Sequence, residues 1–251
     1  ETFGADHGGP EAPPRSARGQ EFARFVAAGG ESLARFGQFS ALVDHLQEGD
    51  WHRWPAPYRH PENPAVEEFA REHGGEVRFH QYGQWLAAAQ LSHVCQEAQQ
   101  QGLPFTLYED LALGASPGGF DTWGHQELFA RGPAIGAPPD AFSPTGQNWN
   151  LPPPNPVAMS ASACAGFRDV LVANMRHAGA LRIDHAMGLS RLFWIPEGAT
   201  AAEGAYVRYP LDALLGVLSI ESVRARCLVV GEDLGTVPEG FRERLAAADV
   251  L

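Results

Sequence analysis

Leu181-Arg182-Ile183-Asp184-His185 and Val229-Val230-Gly231-Glu232-Asp233-Leu234-Gly235 are the segments on which the fold of this chain turns. Each is a short apolar run that stops abruptly at a carboxylate. Runs of this length, flanked by Gly and Ala, read as buried parallel strands. An unpaired buried charge is costly, so an acid at such a strand end calls for a reason beyond packing. A third run, Thr106-Leu107-Tyr108-Glu109-Asp110-Leu111, ends in the same way. In barrels that alternate strand and helix, acids at strand C-termini line the active site.

Outward from these runs, helical spacing recurs over Ala161–Ala178, Leu211–Arg224 and Pro238–Ala248. Gly114–Pro156 reads as a long Gly/Pro-rich stretch, and the segment holding Trp194 and Tyr206 reads as irregular. The first half has another rhythm. Gly4–Gly19 reads as loop, and Glu21–Gln47 as two helices split at Gly29-Gly30. Asp50–Pro64 reads as an aromatic loop in which Trp51 and Trp54 are structural. Glu76–Gln101 is a strong helix pattern closed by Gly102 and Pro104. The predicted fold class is α/β: strand–helix–strand alternation with acids at strand ends suggests a parallel barrel. About three barrel strands are found where a complete barrel has eight, so either the missing strands are hidden in the first half or the chain is an interior slice, and the helical first half favours the slice. Residues 1–104 are mainly helical, and residues 105–251 hold strands and helices of an incomplete barrel that continues beyond 251.

A formal net charge of −12 argues against nucleic acid or an anionic membrane surface as partner. No apolar run is long enough to span a bilayer and no signal-peptide pattern opens the sequence, so a cytoplasmic location is expected. Cys95, Cys164 and Cys227 are scattered without a CxxC pair. The histidines form no HExxH, and no GxGxxG or Walker sequence occurs, so neither metal nor cofactor is expected.

The acids carry the chemistry. One Asp and one Glu at strand ends can divide nucleophile and acid/base work, as in retaining glycosidases. Arg182 shares a strand face with Asp184, and a cation there favours the ionised carboxylate. The residues alone leave open which of Glu232 and Asp233 faces inward. They also leave open a structural ion pair for Arg182–Asp184, and a Mg²⁺ site built from Asp110, Asp184 and Glu232 in a barrel lyase. His185 faces away from Asp184 unless the strand has ended. Trp123, Trp194 and Tyr206 are assigned to packing.

Leu181–Met187 and Gly231–Pro238 resemble two signature segments of the amylomaltases, bacterial cytoplasmic 4-alpha-glucanotransferases of maltodextrin metabolism. Gly136-Ala137-Pro138-Pro139-Asp140 followed by Thr145-Gly146-Gln147-Asn148-Trp149 is similar to that family's loop overhanging the cleft. Glu48–Trp51, Trp54-Pro55 and Gly204–Val207 with Tyr209-Pro210 fit as well. The resemblance implies a retaining enzyme on a (β/α)8 barrel with an inserted helical subdomain, here residues 1–104, residues 105–251 being part of the catalytic barrel, with Asp184 as nucleophile and Glu232 as acid/base. It also implies Arg182, Asp140, Gln147 and Trp149 as glucan-binding residues, with Asp110 and His185 in support. The implied partners are malto-oligosaccharides, maltodextrin or glycogen-derived glucans, with glucose as acceptor. The family's third carboxylate, in a His-Asp pair on a later strand, has no counterpart after Glu232, so the fragment itself is expected to be inactive. Asn150 stands where the family pattern has glycine. Hydrolysis of the same glucans, and glucan binding without catalysis, are the competing functions.

Overall fold

The computed structural model describes residues 16–251, so the N-terminal loop reading lies outside it up to residue 15. The chain divides into two compact units: one runs to Leu91 and includes Gly118–Gln126, and the other comprises Ser92–Pro117 and Glu127–Leu251.

The first unit is helical. Helix α1 spans Ala17–Leu46, where the sequence suggested loop as far as Gly19. The Ser16 side chain accepts the Gly19 N–H and caps the first turn, which is why the helix starts earlier. Gly30 breaks α1 into two helical segments with φ 54° and ψ −143°, a conformation open essentially to glycine alone. Helix α2 (Pro64–Glu72) starts on an Asn63 cap and a first-turn proline. Helix α3 spans Gly74–Gln100, and the boundary between units falls within it. The core of this unit gathers Phe39, Leu42, Trp54, Val66, Phe69 and Trp123. Buried indoles need acceptors: Trp54 donates to the Glu48 carbonyl and Trp123 to that of Tyr58. The aromatic loop is thus a packing element, as its tryptophans suggested.

The second unit begins with β1 (Leu107–Leu111). Inside the stretch read as Gly/Pro loop, the chain forms the short helix α4 (Phe120–Gly124, part of the first unit) and strands β2 (Ala134–Ala137) and β3 (Gln147–Leu151). Helices α5 (Pro156–Ala161) and α6 (Ala165–Met175) replace the single helix expected over 161–178. The Ser162 hydroxyl bonds back to the Ala158 and Met159 carbonyls. Ala163 and Cys164 then take positive φ and end that helix. Strand β4 is Ala178–Ile183, followed by β5 (Arg191–Ile195) and β6 (Ala205–Arg208) in the segment read as irregular. Helix α7 (Leu211–Ala225), β7 (Leu228–Gly231) and helix α8 (Phe241–Ala247) complete the unit.

Two sheets result, and the chain is α/β. Strands β1-β4-β7 form a parallel sheet in that order, the three acid-ended runs of the sequence. Strands β3-β2-β5-β6 form an antiparallel sheet. Helices α6 and α7 pack against each other, and α6 also packs on β4. Leu171, Met175, Leu181, Leu214, Leu218 and Val229 are buried in the shared core. Burying one such leucine stabilises the unit by about 1.5–3 kcal/mol. The parallel sheet is thereby fixed at its C-terminal ends, where the acids lie.

Candidate active site

Three strand ends supply the site. Asp110 lies in β1 opposite Arg182 of β4, and Ile183 lies opposite Gly231 of β7. The ladder runs one residue further: Asp184 N–H donates to the Leu111 carbonyl and Glu232 N–H to the Ile183 carbonyl, both at 3.0 Å. Asp184 and Glu232 therefore sit at matching ends of neighbouring strands, whose backbones lie about 4.8 Å apart.

Arg182 joins two of the acids. Its Nη1 donates to both Asp110 oxygens at 2.7 and 2.9 Å, and Nη2 donates to Asp184 Oδ1 at 2.7 Å. A planar guanidinium serves two carboxylates at once in a way an ammonium cannot. The bonds to Asp110, and then to Asp184, push the guanidinium pKa further up. The sequence paired Arg182 with Asp184; the structure adds Asp110 as its other partner.

Strand β4 ends at Ile183, so His185 is not held in strand alternation. It takes φ 48° and ψ 57°, the left-handed region. This turn aims amides at Glu232. His185 N–H donates to Glu232 Oε2 at 2.9 Å, and Ala186 N–H donates to the Glu232 carbonyl at 2.8 Å. Leu234 N–H donates to Oε1 at 3.0 Å, so both carboxyl oxygens are held by backbone. Asp233 goes elsewhere and pairs with Arg242. Burial pushes the His185 pKa below its ordinary value, against the opposing pull of Glu232 and Asp184.

The β2–β3 loop contributes unevenly. Trp149 packs edge-on to His185, with ring centroids 5.3 Å apart and planes at 79°. Its indole N–H donates to Gln147 Oε1 at 2.9 Å. Asp140 Oδ1 accepts the amides of Phe142 and Ser143 at 2.8 and 2.6 Å, so that carboxylate braces its own loop. The structure brings Trp149 against the strand-end residues, while the hydrogen bonds of Asp140 and Gln147 stay within the loop and β3. Asn150 has φ 55°, with its N–H on Asn148 Oδ1. Asparagine is the side chain that tolerates this region best after glycine, which explains the exchange at this position.

Two further residues make contacts for which the sequence reading gave no role: Arg191, and Tyr209, which it quoted only as part of the resemblance. Arg191 of β5 lies 4.0 Å from the Tyr206 ring centroid. It also donates to the carbonyl of Thr236, in the loop that follows Glu232. A lone arginine in an apolar run was the available signal. Tyr209 is buried, donates to the Pro154 carbonyl and accepts from Trp194. Among the described residues, no group of three or more His, Cys, Asp or Glu side chains could hold a metal ion. Among the same residues, no helix is long and apolar enough to cross a membrane.

Comparison with known proteins gives consistent findings. Residues 9–251 match the family Glyco_hydro_77, described as 4-alpha-glucanotransferase. The 4-alpha-glucanotransferase of Haemophilus influenzae is 44% identical over 232 residues, covering 89% of this chain and 33% of that protein. That of Mycobacterium tuberculosis is 42% identical over 239 residues, covering 95% of this chain and 33% of the relative. The chain thus spans about a third of the length of these curated relatives. The crystal structure of amylomaltase from Corynebacterium glutamicum superposes with a TM-score of 0.80 at 32% identity, over 95% of this chain and 32% of that one. Amylomaltase from Streptococcus agalactiae, in complex with acarbose, shares the fold with a TM-score of 0.81 at 22% identity, over 93% of this chain and 48% of that one.

Proposed function

The chain belongs to the Glyco_hydro_77 family of 4-alpha-glucanotransferases, and from that premise we propose that it carries the retaining pair of such an enzyme. The substrates are malto-oligosaccharides and longer alpha-1,4-glucans, with glucose among the acceptors. Asp184 is the nucleophile. Its carboxylate attacks the anomeric carbon while Glu232 protonates the glycosidic oxygen, so the C–O bond breaks and the shortened glucan leaves. The glycosyl ester on Asp184 is then attacked by an acceptor hydroxyl, whose proton passes to Glu232. Arg182 holds Asp184 in place, with Asp110 as its second anchor. Trp149 offers a face for a glucose ring. Asp140 and Gln147 act from the overhanging loop, and His185 acts in support.

One observation carries this reading: Asp184 and Glu232 sit one residue beyond the paired ends of β4 and β7. Retention needs carboxyl groups roughly 5–5.5 Å apart, and two acids at matching ends of adjacent strands, whose backbones lie about 4.8 Å apart, support that reading. The parallel sheet is part of a (β/α)8 barrel. In support, Leu251 N–H bonds the Val229 carbonyl and its own carbonyl accepts from Gly231, the ladder pattern of a further parallel partner for β7.

The test is made in the full-length enzyme carrying this chain. Asp184→Asn abolishes transfer from maltotriose. Glu232→Gln lowers it about 10²–10⁴-fold, and lowers turnover of alpha-glucosyl fluoride far less, because fluoride departs with little protonation. Equal losses with both donors would rule out Glu232 as the acid. Release of glucose without transfer products would move the reading to hydrolysis.

A further inference from the structure

We infer that the left-handed turn at His185, acting through backbone amides and not through its imidazole, is the device that positions Glu232. The inference rests on the reading of Glu232 as the acid/base.

Four backbone N–H groups act on this one residue. Glu232 N–H is tied to the Ile183 carbonyl, which fixes the residue in the ladder. Leu234 N–H takes Oε1, a local bond that moves with the Glu232 loop. Only the remaining two come from the other strand end. His185 N–H takes Oε2, and Ala186 N–H takes the main-chain carbonyl. Successive amides turn toward one acceptor residue when the backbone between them leaves the extended region, the arrangement of an anion-binding nest. Here the φ of 48° at His185 produces that arrangement. Had β4 continued one residue further in extended form, the amides of His185 and Ala186 would point to opposite sides. The nucleophile's own chain therefore grips the acid. Asp184 and its neighbours 185 and 186 form one short segment, so a shift of the nucleophile drags the acid with it, and the separation of the pair is held constant.

This assigns residue 185 a backbone requirement. Left-handed φ is tolerated by Asn and His, and is strongly disfavoured for β-branched residues. The edge-on contact of the imidazole with Trp149 is a separate matter, and any replacement removes it.

Two measurements test the proposal. The first needs no activity. Hydrogen exchange at His185 is followed by mass spectrometry of the peptide carrying it, in the full-length enzyme and in its Glu232→Ala variant. Loss of the acceptor speeds exchange at residue 185 at least tenfold, with amides of α6 and α7 unchanged; an unchanged rate at 185 overturns the inference. The second uses the full-length enzyme and compares His185→Asn with His185→Val. Both lose the ring, and both fall in transfer from maltotriose. Val falls about 10²-fold further in kcat, the scale of a misplaced catalytic group, but less than tenfold further with alpha-glucosyl fluoride. Equal losses for Asn and Val place the role in the ring and overturn the inference. A Val deficit equal for both donors means general damage and overturns it too. A wild-type enzyme inert toward both donors removes the functional reading itself, and the exchange result still reports whether the grip exists.

Discussion

At the scale of single residues, Arg182 is the most constrained side chain of the site. It bonds Asp110 and Asp184 from different nitrogens. Arg182→Lys keeps a positive charge but cannot span both acids, so kcat/KM for transfer falls about 10²-fold in the full-length enzyme. A loss below threefold would show that charge alone suffices. Two histidines set a pH dependence of stability. His177 and His185 both have lowered pKa values, each chiefly through burial; Arg176 adds to the effect at His177. The folded chain then binds fewer protons than the unfolded chain below the ordinary value of 6.5. Their contribution is whole above that value and is lost as pH falls beneath it. Urea midpoints measured at pH 7.5 and 5.5 decline toward acid, and His185→Asn reduces the decline. The strand-end acids were legible in the sequence because a charge after an apolar run is conspicuous. The grip on Glu232 was not, since amide directions follow from φ and ψ, and a histidine permits a left-handed turn at 185 without requiring one.

Among elements, the reading succeeded where a run ends conspicuously in an acid and failed where turn residues break the pattern. Strands β1, β4 and β7 lie in one parallel sheet, and their apolar runs announce it. Strands β2 and β5 are largely buried, β3 and β6 are largely exposed, and turn-rich segments separate them. Their pairing is a tertiary fact, carried by contacts between distant segments. Gly136 shows how tight that pairing is: a Cβ there would lie 2.0 Å from the Gln147 carbonyl oxygen. Gly136→Ala forces β2 and β3 apart, lowers stability by about 1–3 kcal/mol and disturbs Trp149. Thermal unfolding checks this; an unshifted melting midpoint would mean that the strands yield without strain. In the parallel sheet, Leu181 is fully buried, and Leu181→Ala costs about 2–5 kcal/mol in denaturant unfolding.

For the molecule as a whole, a parallel sheet of three strands leaves edges that solvent or another strand must cover. Tyr108 of β1 is 61% exposed. The 251-residue chain on its own is expected to show no maltotriose disproportionation and to associate through these edges. A stable monomer with turnover would contradict both expectations. The same connectivity also bears on time. Arg182 and Asp110 are 72 residues apart, and His185 and Glu232 are 47 apart. At synthesis rates of about 5–20 residues per second, β1 waits roughly 4–14 s on the ribosome before its β4 partner has been made. The antiparallel β2–β3 pair closes a much shorter loop and can form inside that interval. The newborn chain thus holds β1 unpaired for seconds before the acids can meet. The period of greatest exposure to aggregation and to chaperones is written into the order of its strands.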